Sequence, residues 1–303
     1  MTDGFQHEAL PYSGPSEFVT SCVDVLEDAL ERDERLIVLA GAEKIDAVSA
    51  ALGSTAGDVT LVATDEHGRN PSRITTMLHS FQAAGDGRPS LGVNESVLVG
   101  RTSAGRAEVQ LSEVLLNNPG IRSWPLSVVC LYDTATLDPD SLESMRQSHP
   151  VVRGLTDNPD YRPDLATSLY AGPLDPAPPD PARMVVSSTD LMAMRTFVRA
   201  TAAAHGLEAD RVDDLVLAAN EIVTNSLRHG GGVARMTMWF ADGAMVCEVS
   251  DSGYIQDPLV GRFAPPPAAT SGRGVWLANH LCDLVQLRSS PTGTVVRLHV
   301  DRL

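Results

Sequence analysis

"LAANEIVTNSLRHGGG", residues 217–232, decides how the second half of the chain is read. Its apolar pattern is helical until three glycines stop it. Yet Glu221, Asn225 and His229 recur every four residues, which stacks them on one face, each a turn above the last. A polar stripe on a helix that otherwise reads as core material is either a solvated edge or the floor of a site.

Two later features favour the floor. "DSG" (251–253) follows an apolar strand-type run directly, and "SGRG" (271–274) opens a helix. A carboxylate at a strand end, Asp251, suits an exocyclic amine such as that of adenine. Gly253, two residues on, lets a ring approach the backbone. Gly272 and Gly274 at a helix N-terminus offer bare N–H groups and a positive dipole end to phosphates. The Asn225 carboxamide offers an oxygen to Mg²⁺, which water and phosphate oxygens would complete. Glu221, one turn earlier, is placed to take a proton from an incoming hydroxyl. Together these make a nucleotide site that needs no lysine.

That last point matters, because Lys44 is the only lysine in the 303 residues. No G-x-x-x-x-G-K-[ST] loop exists, and Schiff-base chemistry has no candidate outside "GAEKIDA".

Around the stripe, the second half reads as α+β. "SSTDLMAMRTFVRATAAAHG" (187–206) is a helix with a Ser/Thr/Asp start and a Gly stop. "VARMTMWFADGAMVCEVSDSG" is two strands about an Asp242-Gly243 turn. "GRGVWLANHLCD" is a short helix, and "LVQLRSSPTGTVVRLHV" a last hairpin around Pro291-Thr292-Gly293. Helices on one side of a sheet follow.

The three boxes in this order resemble the GHKL ATP-binding fold, shared by histidine kinases, DNA gyrase and the anti-sigma serine/threonine kinases. "NEIVTNSLRHG" resembles its N box, and "DSG" and "GRGVWLANHLCD" its two glycine boxes. "GTVVRLHV" resembles the closing strand, and the likeness spans residues 183–303. "DPLVGR" and a short segment containing "APPP" (264–267) resemble the anti-sigma regulatory kinases in particular. The resemblance implies ATP and Mg²⁺ as cofactors, Glu221 as general base and Asn225 as the Mg²⁺ ligand. Asp251 would read adenine. Gly253, Gly272, Arg273 and Gly274 would line the nucleotide, with Thr294 beside the base and His229 near the phosphates. The implied activity is phosphorylation of a Ser or Thr on a STAS-type anti-anti-sigma antagonist, with a sigma factor as the second partner. Relatives of this domain commonly form homodimers. Two other readings stand beside it: a sensor histidine kinase, and a non-catalytic, ATP-dependent protein-binding regulator.

The first half alternates strand and helix. "RLIVLAG" (35–41), "DVTLVAT" (58–64) and "PLSVVCLYD" (125–133) read as strands. "EKIDAVSAALG" (43–53), "PSRITTMLHSFQ" (71–82) and "LDPDSLESMRQSH" (137–149) read as helices, after an amphipathic helix in "SEFVTSCVDVLEDALERDE". This predicts an α/β layer with a parallel sheet. With "HEALPYSGPSEFVTSCVDVLEDAL" and the tail "SHPVVRGLTDNPDY", it resembles a MEDS sensory domain, a relative of RecA-type folds. The expected division is residues 1–170, a Pro-rich linker 171–182 ("GPLDPAPPDPA" holds all five of its prolines), and residues 183–303.

Charge separates the halves. Residues 1–182 carry 12 Lys plus Arg against 27 Asp plus Glu; residues 183–303 carry 11 Arg against 12 acids. The acidic first half argues against direct nucleic-acid binding. No apolar run spans a bilayer, and the N-terminus lacks the basic start and apolar core of a signal peptide, so a cytoplasmic protein is expected. Cys22, Cys130, Cys247 and Cys282 read as core thiols. His67, His79, His149, His205 and His280 show no joint ligand spacing, so no metal site on protein ligands alone is expected, and His7, with Tyr12 nearby, reads as a phosphoacceptor, a ligand contact or an ordinary polar residue.

Overall fold

The structure is a computed structural model that describes residues 5–65, 69–95, 98–265 and 272–302. It divides into two compact units, Met1–Ala166 and Thr167–Leu303.

In the first unit the chain runs β1 (His7–Tyr12), α1 (Gly14–Glu31), β2 (Arg35–Ala40), α2 (Ala42–Leu52), β3 (Val59–Ala63), α3 (Pro71–Ala83) and β4 (Ser90–Glu95). It continues through α4 (Ser103–Leu116), α5 (Pro119–Arg122), β5 (Leu126–Asp133), α6 (Pro139–Ser148), β6 (Val151–Val152) and α7 (Leu165–Ala171), the last crossing the unit boundary. Among the described residues the strands form a six-stranded sheet in the order β3-β2-β4-β5-β1-β6, every pairing parallel. Near-continuous burial of β2, β4 and β5 is what a parallel sheet covered by crossover helices demands. The expected helix signals act as read. Asn70 caps α3 ahead of Pro71, Asp138 caps α6 by accepting from Ser141 N at 2.7 Å, and α2 ends at Gly53 with φ 56°.

Three elements escape the sequence reading. β1 holds Pro11, which argues against a central strand. However, β6 pairs only with Glu8 and Ala9, so the chain at Pro11 lies beyond the reach of that neighbour. β4 is "SLGVNE", whose Gly92 and Asn94 hide a strand that is buried almost throughout. α4 buries Glu108 and Glu113, so its apolar period is interrupted where it packs.

In the second unit β7 (Ala182–Val186) precedes α8 (Leu191–Ala204) and α9 (Ala209–His229). Then come β8 (Ala234–Ala241), β9 (Ala244–Asp251), α10 (Arg273–Leu281), β10 (Leu284–Ser290) and β11 (Gly293–Asp301). Among the described residues the sheet is five-stranded and antiparallel, order β10-β11-β9-β8-β7. The Asp242-Gly243 turn takes φ of 51° and 82°, the left-handed pair a two-residue hairpin needs. β7 is an edge strand that the proline run before it masks in the sequence. Among the described residues, no helix is long and apolar enough to cross a membrane.

One half-buried group should couple the stability of the second unit to pH. Burial, then the charge of Arg297, lowers His299 from 6.5 to about 4. Its Nε2–H donates to Gln286 Oε1 at 3.2 Å. The unfolded chain therefore binds more protons between these values, so this contribution is complete above pH 6.5 and is lost as pH falls toward 4. The shift sets an upper bound of about 3 kcal/mol, less because the ring keeps some contact with solvent. Denaturant unfolding at pH 7 and pH 4.5 should show that loss, and His299→Gln should flatten it.

Candidate functional site

The stripe on α9 is real and is not solvated throughout. Glu221 and Asn225 are half-buried, while His229, on the last turn, is exposed. The rest of α9 explains the difference. Val212, Leu215, Val216, Ala219, Ile222, Val223 and Ser226 bury the opposite side, and Asn220 is held by Arg195 Nε of α8 at 2.9 Å.

The start of α10 lies directly on Glu221 and Asn225. A Cβ placed at Gly274 would stand 2.8 Å from Asn225 Nδ2 and 3.2 Å from Glu221 Oε2. Only glycine permits that approach. Gly272, at the N-cap with φ 85°, has no side chain to cap the leading N–H groups. Arg273 opens the helix and is exposed. Among the described residues, nothing hydrogen-bonds the Glu221 carboxylate or the Asn225 carboxamide. Ser271, and residues 266–267 of the "APPP" segment, lie outside the described residues.

The strand ends form the other side. Asp251 Oδ1 accepts from Gly253 N at 2.7 Å, an Asx turn that orients the carboxylate. Among the described residues its Oδ2 has no partner. Gly230, after α9, packs so close that a Cβ there would lie 2.3 Å from Asp251 Cγ. Thr294, paired across the ladder with Asp251, donates from Oγ1 to Gly253 O at 2.9 Å. Ser289 Oγ lies 2.7 Å from Thr294 Oγ1 and accepts from Ile255 N at 2.8 Å. A cleft of about 500 Å³ beside them is lined by Asp251, Ser289, Thr294 and residues 171–174; it reaches Asp251 but not Glu221 or Asn225.

The structure thus brings Glu221, Asn225, Gly272, Arg273 and Gly274 together, and Asp251, Gly253 and Thr294 together beside them, with the end of α9 between. His229 brings its backbone carbonyl to Gly253, while its ring is exposed at the end of α9. The His229 carbonyl would be 2.8 Å from a Cβ at Gly253. Gly230 and Ser289 were missed from sequence. The first was hidden in a run read only as a helix stop, the second in a strand pattern that gives a serine no special value.

Residues 185–300 match the family model described as a histidine kinase-like ATPase domain. Residues 6–150 match the one described as MEDS, the methanogen/methylotroph, DcmR sensory domain. The chain is a MEDS sensory domain joined to a histidine kinase-like ATPase domain. No curated protein matches it. Among solved structures it is similar to the RsbU and RsbW domains of a Mycobacterium tuberculosis protein, at 21% identity and a TM-score of 0.31. That match covers 41% of this chain and 33% of that one.

In the MEDS domain the single lysine is committed. Lys44 Nζ bonds Glu95 and the Tyr12 hydroxyl (2.8 Å), and lies 4.8 Å from the Phe18 ring centroid. It is therefore held in a side-chain cluster and is not presented on a glycine-rich loop as a phosphate-binding lysine would be.

The Gly274 contact gives a direct test of the ATPase site. The tightest contacts a Gly274→Ala methyl would make are to side-chain ends, Asn225 Nδ2 and Glu221 Oε2, with Glu221 Cβ next at 3.3 Å, so stability should fall by about 1–2 kcal/mol. The Asn225 carboxamide would be pushed aside, and ATP affinity should drop ~10-fold or more. Calorimetry alongside thermal unfolding separates the two effects.

Proposed function

We propose that the ATPase domain binds Mg-ATP and transfers its γ-phosphoryl group to a Ser or Thr of a STAS-type anti-anti-sigma antagonist. When the antagonist is modified, the same domain holds a sigma factor. The MEDS domain sets the balance in response to a signal. The carrying observation is the half-buried pair Glu221 and Asn225 beneath the glycine-opened start of α10.

In this reading Asp251 accepts from the adenine amine and Thr294 steadies the strand end beside it. The N–H groups following Gly272 hold phosphate oxygens. The Asn225 carboxamide, without a hydrogen-bond partner among the described residues, fits one oxygen ligand of Mg²⁺, which when bound would neutralise phosphate charge. Glu221 takes the proton of the incoming hydroxyl as its oxygen bonds to phosphorus and the β–γ bridging bond breaks, releasing ADP.

The histidine-kinase alternative requires a phosphoacceptor on a helical hairpin. His205 is the one histidine near α8. It follows the last helical residue, its Nδ1–H donates to Thr201 O at 2.9 Å, and its ring stacks on Phe240 with centroids 5.9 Å apart. That position favours a capping role. Radiolabelled ATP decides between them: acid-stable label on an added STAS-type protein supports the proposal, and acid-labile label on this chain supports the alternative. With no label on either, the non-catalytic regulator stands.

A further inference from the structure

The MEDS domain holds a second cluster that the nucleotide chemistry does not use. His7 on β1, Glu113 on α4, Cys130 on β5 and His149 just after α6 each bring one ligand-type atom within 4.8 Å of all the others. All four are buried. His7 Nε2 is 3.2 Å from Glu113 Oε2 and 3.4 Å from Cys130 Sγ. Cys130 Sγ lies 3.2 Å from the same Glu113 oxygen, and His149 Nε2 lies 3.5 Å from it.

The outer ring nitrogens fix what the inner ones offer. Asn117 Nδ2 donates to Ser148 O at 2.8 Å, which leaves its Oδ1 to accept from His7 Nδ1–H at 3.1 Å. His149 Nδ1–H donates to the Met145 carbonyl at 2.8 Å. In neutral imidazoles both Nε2 lone pairs then point into one small space, facing a carboxylate and a thiol. As a set of hydrogen bonds the cluster does not close. The thiol has one proton to give, and among the described residues the buried His149 Nε2 makes no hydrogen bond, only the 3.5 Å contact to Glu113 Oε2.

As a coordination shell it comes close: four of its six edges have metal-site lengths, and the two from His149 Nε2 to His7 Nε2 and Cys130 Sγ are within 4.8 Å. Metal–ligand bonds of about 2.0–2.3 Å to N, O and S in a tetrahedron put the ligands about 3.3–3.8 Å apart. The contacts of 3.2–3.5 Å lie at or just below that edge length. A histidine ligand ordinarily donates its other N–H to a carbonyl or amide oxygen, as both do here. One thiolate and one carboxylate balance a dication, so the buried site ends neutral.

We propose that His7, Glu113, Cys130 and His149 form a four-coordinate site for a divalent transition-metal ion of the zinc class. With four protein ligands no position remains for substrate, so the ion would fasten β1, β5, α4 and α6 rather than catalyse. Binding displaces the Cys130 thiol proton to solvent and changes no oxidation state.

The test uses the full chain expressed in Co²⁺-supplemented and in Zn²⁺-supplemented medium and purified without chelator. This route loads a closed site during folding. Expected are one Co²⁺ or Zn²⁺ per chain, visible d–d bands of tetrahedral intensity, and a thiolate-to-cobalt charge-transfer band. Cys130→Ser should lose the charge-transfer band. His149→Gln should weaken Co²⁺ retention against a competing chelator by at least ~10-fold. Folded wild-type protein that is metal-free, or that lacks the charge-transfer band, overturns the proposal, as does an undiminished band in folded Cys130→Ser. Should Cys130→Ser not fold, the wild-type spectrum and His149→Gln still decide. Calorimetry with Mg-ATP on the same samples reads the other domain independently.

Discussion

Asp251→Ala should weaken ATP and ADP binding by ~30–150-fold, about 2–3 kcal/mol, the range for a charge-assisted hydrogen bond made in a partly enclosed site. The geometry explains why the loss falls on the base and not on the phosphates. Oδ1 is already engaged by Gly253 N, leaving Oδ2 for an incoming donor. Adenine presents an amine at that edge and guanine an acceptor oxygen. ATP should therefore be preferred over GTP, and Asp251→Asn should erode the preference more than it erodes affinity. Calorimetry with ATP, ADP and GTP against both variants checks this. Equal affinity of parent and Asp251→Ala for ATP would remove adenine recognition from this residue.

Glu221→Gln is the second large effect. The substitution keeps shape and hydrogen-bonding capacity but removes the base. Phosphoryl transfer should fall by about 10²–10⁴-fold, while Mg-ATP affinity changes by no more than about threefold. The split follows from position: Glu221 lies one turn from Asn225 and touches the α10 start at Gly274, but it is remote in sequence and element from Asp251. Single-turnover transfer of label to a STAS-type acceptor gives the rate, and calorimetry gives the affinity. Unchanged transfer in Glu221→Gln means the proton goes elsewhere.

Much of the ATPase domain was legible because its signals are local. The four-residue spacing of Glu221, Asn225 and His229 fixes a shared helix face wherever the helix packs. Asp242-Gly243 fixes a hairpin. "DSG" after an apolar run places a carboxylate at a strand end. The MEDS sheet was legible as alternation, yet β1 and β4 were not, because Pro11, Gly92 and Asn94 break the local pattern. Their strand character comes from neighbours: β1 is held between β5 and β6, and β4 between β2 and β5.

The metal-type cluster marks the limit. His7 and Glu113 stand 106 residues apart, and Cys130 stands 123 from His7. No spacing rule connects them, since each comes from a different element. The parallel sheet sets β1 beside β5, and the helices covering it carry Glu113 and His149 to the same place. Likewise Gly230 became meaningful only once Asp251 lay against it.

By itself the sequence determined which segments are helix or strand where the period is strong, and which residue types share a helix face. It also determined that any phosphate chemistry proceeds without a lysine loop, because these properties depend on residues within a turn or two of one another. Tertiary structure alone decided that Gly274 rests on Asn225, that Gly230 rests on Asp251, and that two histidines, a cysteine and a glutamate share one buried point. Those contacts join residues whose separation along the chain carries no information until the sheets and helices have packed.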